Sequence, residues 1–439
     1  MQSLIERDLT HIWHPCSQMK DYETFPPLVI KKADGSYIEL EDGRKIIDVI
    51  SSWWCKPLGH AHPRLKAALQ EQLNDYEHVI AANTCQKPLV ELSEKLISLI
   101  PHLSKVFYAC DGSTAVEIAI KMSLHTRLLQ GQPQRKRFLA LQNGYHGETV
   151  MALSLSDVGL YKDPYQTILQ PVSFLQGIPY VNFKEDPLWS DCSHYWPAIE
   201  AQLLLKLDTL CAIIVEPILQ GSGSMKIYSA DFLKRLYRFT QQHGVHLIAD
   251  EILTGCGRTG FPLACQLAGI EADFVCLGKG LAGGMLPISA VLCRQDIYNL
   301  FYDDYETRKS FLHSNTFCGN ALAARVALEC LCVLEEENIY AKVQSQEHVF
   351  RHCMQDIANK TQRLQNIRNI GGMVAADLIL DPSEAHKRWG YKIYQEAVKL
   401  GALLRPLGNT IYWFPPLNMK METLMELKEI TQIAIERVL

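Results

Sequence analysis

The sequence predicts an α/β fold, with a mainly parallel central sheet flanked by helices and a smaller α+β domain drawn from both chain ends. Three observations carry this. The apolar runs at 138–141, 211–215, 247–249 and 274–277 have the length and content of strands buried on both faces. Helical stretches separate them, such as 231–243, which stops at Gly244, where glycine takes a left-handed cap without steric cost. The two ends differ from this middle. Pro26-Pro27 precede Leu28-Val29-Ile30, Asp34-Gly35 and Asp42-Gly43 make turns between short strands, and the C-terminal part mixes helices with strands. The expected division is an N-terminal segment of the smaller domain at 1–55, a large domain at 56–335, and the remainder of the smaller domain at 336–439.

Composition narrows the function. A chain of 439 residues has room for two or three packed units, and 48% hydrophobic with 21% charged residues is ordinary for a water-soluble globular protein. A formal net charge of −5, with no basic run beyond Gln134-Arg135-Lys136-Arg137, argues against a nucleic-acid surface. Residues 1–8 carry no apolar signal core and no stretch is long enough to span a bilayer, so a cytoplasmic protein is expected. Fourteen cysteines without C-x-x-C spacing read as reduced packing residues, neither bridges nor metal ligands.

The chemistry-bearing residues follow in chain order. Asp111-Gly112-Ser113-Thr114-Ala115-Val116-Glu117 succeeds the apolar run 106–109 and opens a helix whose positions Val116, Ala119, Ile120 and Leu124 recur at helical spacing. Thr114 with Glu117 predicts a capping box, and the amides of Gly112, Ser113 and Thr114 predict an anion site at the helix start. Asp250 ends the run Val245-His246-Leu247-Ile248-Ala249, so its carboxylate emerges at a strand's carboxyl end, where open α/β sheets bind ligands. Lys279 lies between Gly278 and Gly280, with Gly283 and Gly284 beyond, and small neighbours leave room for a ring. An acid that can keep a pyridine nitrogen protonated and a lysine that can form an imine are the pair that pyridoxal phosphate chemistry needs. Gly255-Cys256-Gly257-Arg258-Thr259-Gly260 also satisfies G-x-G-x-x-G after a strand, which keeps a dinucleotide-dependent oxidoreductase as a rival reading. Arg258 stands where a pyrophosphate turn wants small residues, and the run reads better as a glycine-rich active-site loop presenting Arg258.

Gly112-Ser113-Thr114-Ala115-Val116-Glu117, Gly144-Tyr145-His146-Gly147, Ile214-Val215-Glu216-Pro217, Asp250-Glu251-Ile252, Gly257-Arg258-Thr259-Gly260, Gly278-Lys279-Gly280 and Thr316-Phe317 with Gly319-Asn320 together resemble the class III aminotransferases of the fold-type I, pyridoxal phosphate-dependent group. The resemblance runs from Trp13-His14-Pro15 to Arg405-Pro406. It implies a homodimer whose large domain binds pyridoxal 5'-phosphate: Lys279 carries the cofactor and shuttles the proton, Asp250 pairs with the ring nitrogen and Tyr145 stacks on the ring. Gly112 and Ser113 would bind the phosphate, with Thr316 reaching it from the partner subunit. His11-Ile12-Trp13-His14-Pro15, Ser51-Ser52-Trp53-Trp54, and Leu404 to Gly408 followed by Ile411-Tyr412, are similar to the branch that aminates 8-amino-7-oxononanoate in biotin biosynthesis. That likeness implies a ping-pong exchange with S-adenosylmethionine as donor. Lysine as donor, or another class III ω-aminotransferase, is the alternative. Substrate contacts would come from Trp53, Tyr145, Lys279, Asn315, Arg405 and Tyr412, with Glu216 and Arg258 facing each other beside the site. Three departures stand out: Cys16 replaces an aromatic residue after Trp-His-Pro and should widen the pocket, Asp111 brings a negative charge near a bound phosphate, and His313-Ser314-Asn315-Thr316 replaces a Gly-Pro-Thr pattern.

Overall fold

The computed structural model describes residues 3–439 and holds a seven-stranded sheet in the spatial order Lys105–Ala109, Ser289–Cys293, Phe274–Leu277, His246–Asp250, Leu210–Val215, Arg137–Leu141 and Ser173–Leu175. Ser289–Cys293 runs antiparallel to both neighbours, and the other pairings are parallel. The mainly parallel sheet is as expected. Ser289–Cys293 breaks the alternation because only the short Lys279 loop separates it from Phe274–Leu277, too little chain for a helical crossover back to a parallel position.

Both faces of the sheet are covered, and its central strands are buried along their whole length. Successive side chains feed opposite faces. Ile248, Phe274 and Cys276 pack with Val116, Ile118 and Ala119 of the helix Gly112–Leu129. Leu247, Ala249 and Val275 pack on the other side with Leu233 and Leu236 of the helix Ala230–His243, capped by Gly244 at φ +57°.

A second apolar cluster joins Ile47 and Val49 to Met354, Val374, Ile393, Ile411, Trp413 and Leu427 from the far end of the chain. Two sheets carry it. Ile30–Asp34, Tyr37–Leu40 and Lys45–Asp48 form antiparallel neighbours, and Ala402–Leu403 adds to Lys45–Asp48 in parallel. Leu364–Ile370, Met373–Leu378 and Thr410–Trp413 form the other sheet, under the helices Ile339–Thr361, Trp389–Leu400 and Met421–Val438. The fourteen cysteines are all free thiols. Among the described residues no helix is long and apolar enough to cross a membrane.

One local expectation fails. The helix starts at Gly112 with Asp111 as its cap, whose carboxylate accepts the Thr114 N–H at 2.9 Å and the Thr114 hydroxyl at 2.7 Å. The Thr114–Glu117 capping box does not form. Glu117 Oε1 accepts instead from Thr149 Oγ1 and from the Met151 and Ala152 amides, at 2.6, 3.0 and 3.2 Å. The helix begins three residues earlier than that box requires, so the Thr114 amide is already given to Asp111 and Glu117 takes three donors at the start of the short helix Val150–Ser154. The Asp111 charge is thereby occupied at the helix cap.

Phe274 sits fully buried in a central strand, its ring edge-on to His246 with centroids 5.5 Å apart. Phe274→Ala should cost about 3–5 kcal/mol of stability. Denaturant unfolding checks this, and a loss below about 1 kcal/mol would contradict the core position assigned to this strand.

Candidate active site

The carboxyl ends of the parallel strands open onto one crevice, as expected for an open α/β sheet. Gly112 and Ser113 follow Lys105–Ala109, and Tyr145 and His146 follow Arg137–Leu141. Glu216 follows Leu210–Val215, Asp250 ends its own strand, and Lys279 follows Phe274–Leu277. All of these line a cavity of about 180 Å³. It continues past Lys279, Tyr145 and Trp54 into an outer cavity of about 480 Å³ lined by Cys16, Trp53, Tyr161, Arg405 and Tyr412.

The inner cavity holds two buried acids with different partners. Asp250 Oδ2 lies 2.8 Å from His146 Nδ1, and Asp250 Oδ1 accepts the Ile252 N–H at 3.2 Å. His146 Nε2 is buried without a protein partner. Glu216 accepts only backbone amides, those of Tyr145 at 2.8 Å and Gly221 at 3.0 Å. Burial pushes the Glu216 carboxyl up to about 7, a rise that His146 offsets and Asp250 reinforces. Burial also pushes the Lys279 ammonium below its ordinary value, against the opposing pull of Asp250 and Glu216. A lowered lysine sheds its proton, and so acts as an amine, more readily than an ordinary one.

The aromatic wall comes from an unusual turn. Ser51, Ser52, Trp53 and Trp54 have φ of +51, +48, +81 and +68°. Left-handed backbone costs roughly 1–2 kcal/mol for each residue bearing a Cβ, so this run needs outside support. The turn sends the adjacent tryptophans to different places. Trp54 is buried, donates its indole N–H to the Tyr412 hydroxyl at 3.0 Å, and lies under Lys279 with Nζ 5.2 Å from the ring centroid. Trp53 stays exposed at 40% and carries the Arg405 guanidinium 4.1 Å above its ring. Arg405 also donates to the Cys16 carbonyl at 3.1 Å, which leaves most of its fork free to meet an anion.

Lys279, Asp250, Tyr145, Gly112, Ser113, Trp53, Arg405 and Tyr412 are thus brought together. Asn315 and Thr316 stand outside both cavities of their own chain. Thr316 is exposed, and its carbonyl lies 3.0 Å from His78 Nε2. Arg258 lines neither of these cavities, and no ion pair joins it to Glu216. It is buried, donates to the carbonyls of Gly372 at 2.7 Å and Pro415 at 2.9 Å, and stacks 3.6 Å over Phe414. The Gly255 to Gly260 run therefore presents Arg258 to a packing seam, where a side chain at Gly257 or Gly260 would meet Tyr340 or Gln344 of the helix Ile339–Thr361. It opens no helix, which removes the structural basis for the dinucleotide reading. His146 is the partner that sequence reasoning did not assign: it was visible beside Tyr145, but nothing local connects it to Asp250.

The residues around the inner cavity fit pyridoxal phosphate. An acid backed by an imidazole matches its ring nitrogen, a primary amine matches its aldehyde, and the amides at the start of an 18-residue helix match its phosphate. Gly147 makes the cradle close. At φ +125° a Cβ there would fall 2.2 Å from Ser113 Oγ.

Comparison with known proteins agrees. Residues 18–435 match the family model Aminotransferase class-III. The chain is 40% identical over 419 residues to the adenosylmethionine-8-amino-7-oxononanoate aminotransferase of Helicobacter pylori, covering 94% of this chain and 93% of that one. It is 34% identical over 424 residues to the same-named protein of Aquifex aeolicus, covering 95% and 93%. Among solved structures, it superposes with a TM-score of 0.91 at 30% identity on the same-named enzyme from Methanocaldococcus jannaschii, over 99% of both chains. An amine transaminase from an uncultivated Pseudomonas species, in its PLP-bound form, gives 0.89 at 28% identity, over 98% of this chain and 99% of that one.

Glu216 generates a pH prediction. Its folded value of about 7 lies above the ordinary 4.5, so the native state holds more protons than the unfolded chain between those values, and stability falls as pH rises through that window. Glu216→Gln should remove about 2 kcal/mol of the stability difference between pH 5 and pH 8 relative to wild type. Urea unfolding at both pH values measures it. An unchanged difference would show that Glu216 titrates normally.

Proposed function

The chain belongs to the class III aminotransferases, and from that premise we propose that it aminates 8-amino-7-oxononanoate to 7,8-diaminononanoate, with S-adenosylmethionine as amino donor in a ping-pong exchange. It is a pyridoxal phosphate-dependent transaminase. The observation that carries the substrate assignment is the Arg405 guanidinium stacked over Trp53 on the same cavity wall system as Lys279. A cation set across an aromatic slot from the reacting amine suits a long oxo-acid, with its carboxylate on Arg405 and its aliphatic chain along Trp53.

When bound, the cofactor supplies an aldehyde that exchanges with amines and a ring that accepts electrons. The chain's residues do the rest. Lys279 Nζ, its proton loosened by burial, accepts a proton from the substrate carbon and returns it on the other side of the exchange. Asp250, oriented by His146, supplies the negative charge that keeps the ring nitrogen protonated. Gly112 and Ser113 offer amides to the phosphate, and Tyr145 covers the ring while Glu216 holds its backbone. Trp53, Tyr412 and Arg405 contact substrate, and Asn315, outside the cavities of its own chain, is assigned to the substrate of a second subunit. Thr316 is assigned to the phosphate of a second subunit. The exposed Leu312 and Phe317 on its own segment, with exposed Ile80 near His78, support a homodimer that covers them.

The test is product formation. Purified enzyme loaded with pyridoxal phosphate and given 8-amino-7-oxononanoate should yield diaminononanoate with S-adenosylmethionine and give parallel double-reciprocal lines. Turnover with lysine alone would move it to the alternative donor, and turnover only with ornithine or γ-aminobutyrate would overturn the acceptor assignment. Arg405→Ala should raise the acceptor KM about 10- to 100-fold with a smaller change in kcat.

A second expectation concerns charge. Asp250→Asn keeps the shape but loses the carboxylate, so kcat should fall by about 10³-fold while cofactor absorbance remains. Near-normal turnover would remove the role given to Asp250.

A further inference from the structure

Four consecutive residues without a glycine, Ser51 to Trp54, hold a left-handed backbone at the wall of the cavity. Such a run persists only where its surroundings over-determine it. The surroundings are Asp48 and His60. Asp48 is fully buried at the end of the strand Lys45–Asp48. Its Oδ1 accepts the Ser52 N–H at 2.9 Å, and its Oδ2 accepts the Ser52 hydroxyl at 2.6 Å and lies 2.7 Å from His60 Nε2. Burial pushes the Asp48 carboxyl up, but the hydrogen bonds from His60 and Ser52 outweigh this and hold it below its ordinary value, so the clamp is ionised.

His60 is itself fixed. Its N–H donates to the Gly35 carbonyl at 2.7 Å and its carbonyl accepts from the Gly35 N–H at 3.0 Å. This close approach requires a glycine at 59, where a Cβ would fall 2.6 Å from the Gly35 oxygen. The Ser51 hydroxyl ties the other edge of the turn to the Phe414 carbonyl at 2.8 Å.

We propose that Asp48, backed by His60, is a positioning residue for the amino acceptor: it clamps the left-handed turn and thereby sets where Trp53, and the Arg405 guanidinium stacked on it, stand. This rests on the reading that Trp53 and Arg405 face the acceptor. The Ser52, His60 and Asp48 set is not a nucleophilic triad. His60 reaches both Ser52 Oγ, at 3.3 Å, and Asp48 through the same Nε2, so the imidazole cannot relay a proton from serine to carboxylate.

Ser52 offers a clean test, because Ala and Gly both delete its hydroxyl while only Ala keeps the Cβ that disfavours φ +48°. In the cofactor-loaded enzyme, Ser52→Ala should raise the acceptor KM about tenfold with a smaller change in kcat, and Ser52→Gly should lie at least about threefold closer to wild type. The near-ultraviolet circular dichroism of the tryptophans should follow the same order before any acceptor is added. Equal behaviour of the two variants, impaired or not, overturns the proposal. Should Ser52→Ala not accumulate as folded protein, Asp48→Asn is compared with Asp48→Asn/Ser52→Gly, and failure of glycine to rescue the single variant has the same force. If wild type does not use 8-amino-7-oxononanoate, the functional reading fails while the dichroism contrast still decides the clamp.

Discussion

A carboxylate buried inside a sheet has to be given partners, and Asp250 finds one far away in the chain. It ends the strand His246–Asp250 at 4% exposure, and the group that satisfies it is His146, from the loop after Arg137–Leu141. That loop is in turn held by Glu216, which takes the Tyr145 amide from the end of the intervening strand. Three neighbouring strand ends are thereby locked to one another around the cavity. The two acids have different partners: Asp250 has an imidazole beside it, and Glu216 has backbone amides. Burial takes Glu216 up to about 7. Lys279 lies within the field of both, so the amine that the proposed chemistry needs is tuned by the same lock.

The second dependence is between the two cores. The floor of the cavity belongs to the central sheet, but its aromatic wall is carried by residues anchored in the cluster built from both chain ends. Ile47 and Val49 flank Asp48 and pack among the C-terminal residues, and Asp48 holds the turn that places Trp53 and Trp54. Arg258 closes the seam from the opposite direction: a guanidinium from the large sheet's loop donates to carbonyls at 372 and 415 and stacks on Phe414. Burial lowers the Arg258 value to about 9, and the two carbonyls and the ring are what offset the desolvation of that cation. A glycine-rich run that resembles a phosphate loop in sequence is, in the fold, the bed for this cation.

Much of this protein is written in local pattern. Buried parallel strands announce themselves as short apolar runs because both of their faces are covered, and Gly244 marks a helix end because a left-handed cap favours a residue without a Cβ. The positions of Asp250 and Lys279 at strand ends, and the helix start at Gly112, follow from the same reasoning, since an open sheet binds at its carboxyl edge. These are statements about one segment at a time. Tertiary structure decided what depends on two. Glu117 stands three residues after Thr114 as a capping-box residue should, yet the helix begins earlier with Asp111 as its cap, and Glu117 takes three donors at the start of the short helix Val150–Ser154. Arg258 and Glu216 both occupy motifs that suggest an active-site pair, and each was claimed by backbone groups that the sequence places far away or leaves undirected. The left-handed turn at Trp53 is the extreme case. No propensity favours four such residues in a row, and only a buried carboxylate, a histidine pinned by a hairpin and a carbonyl from the far end of the chain make that backbone the stable one.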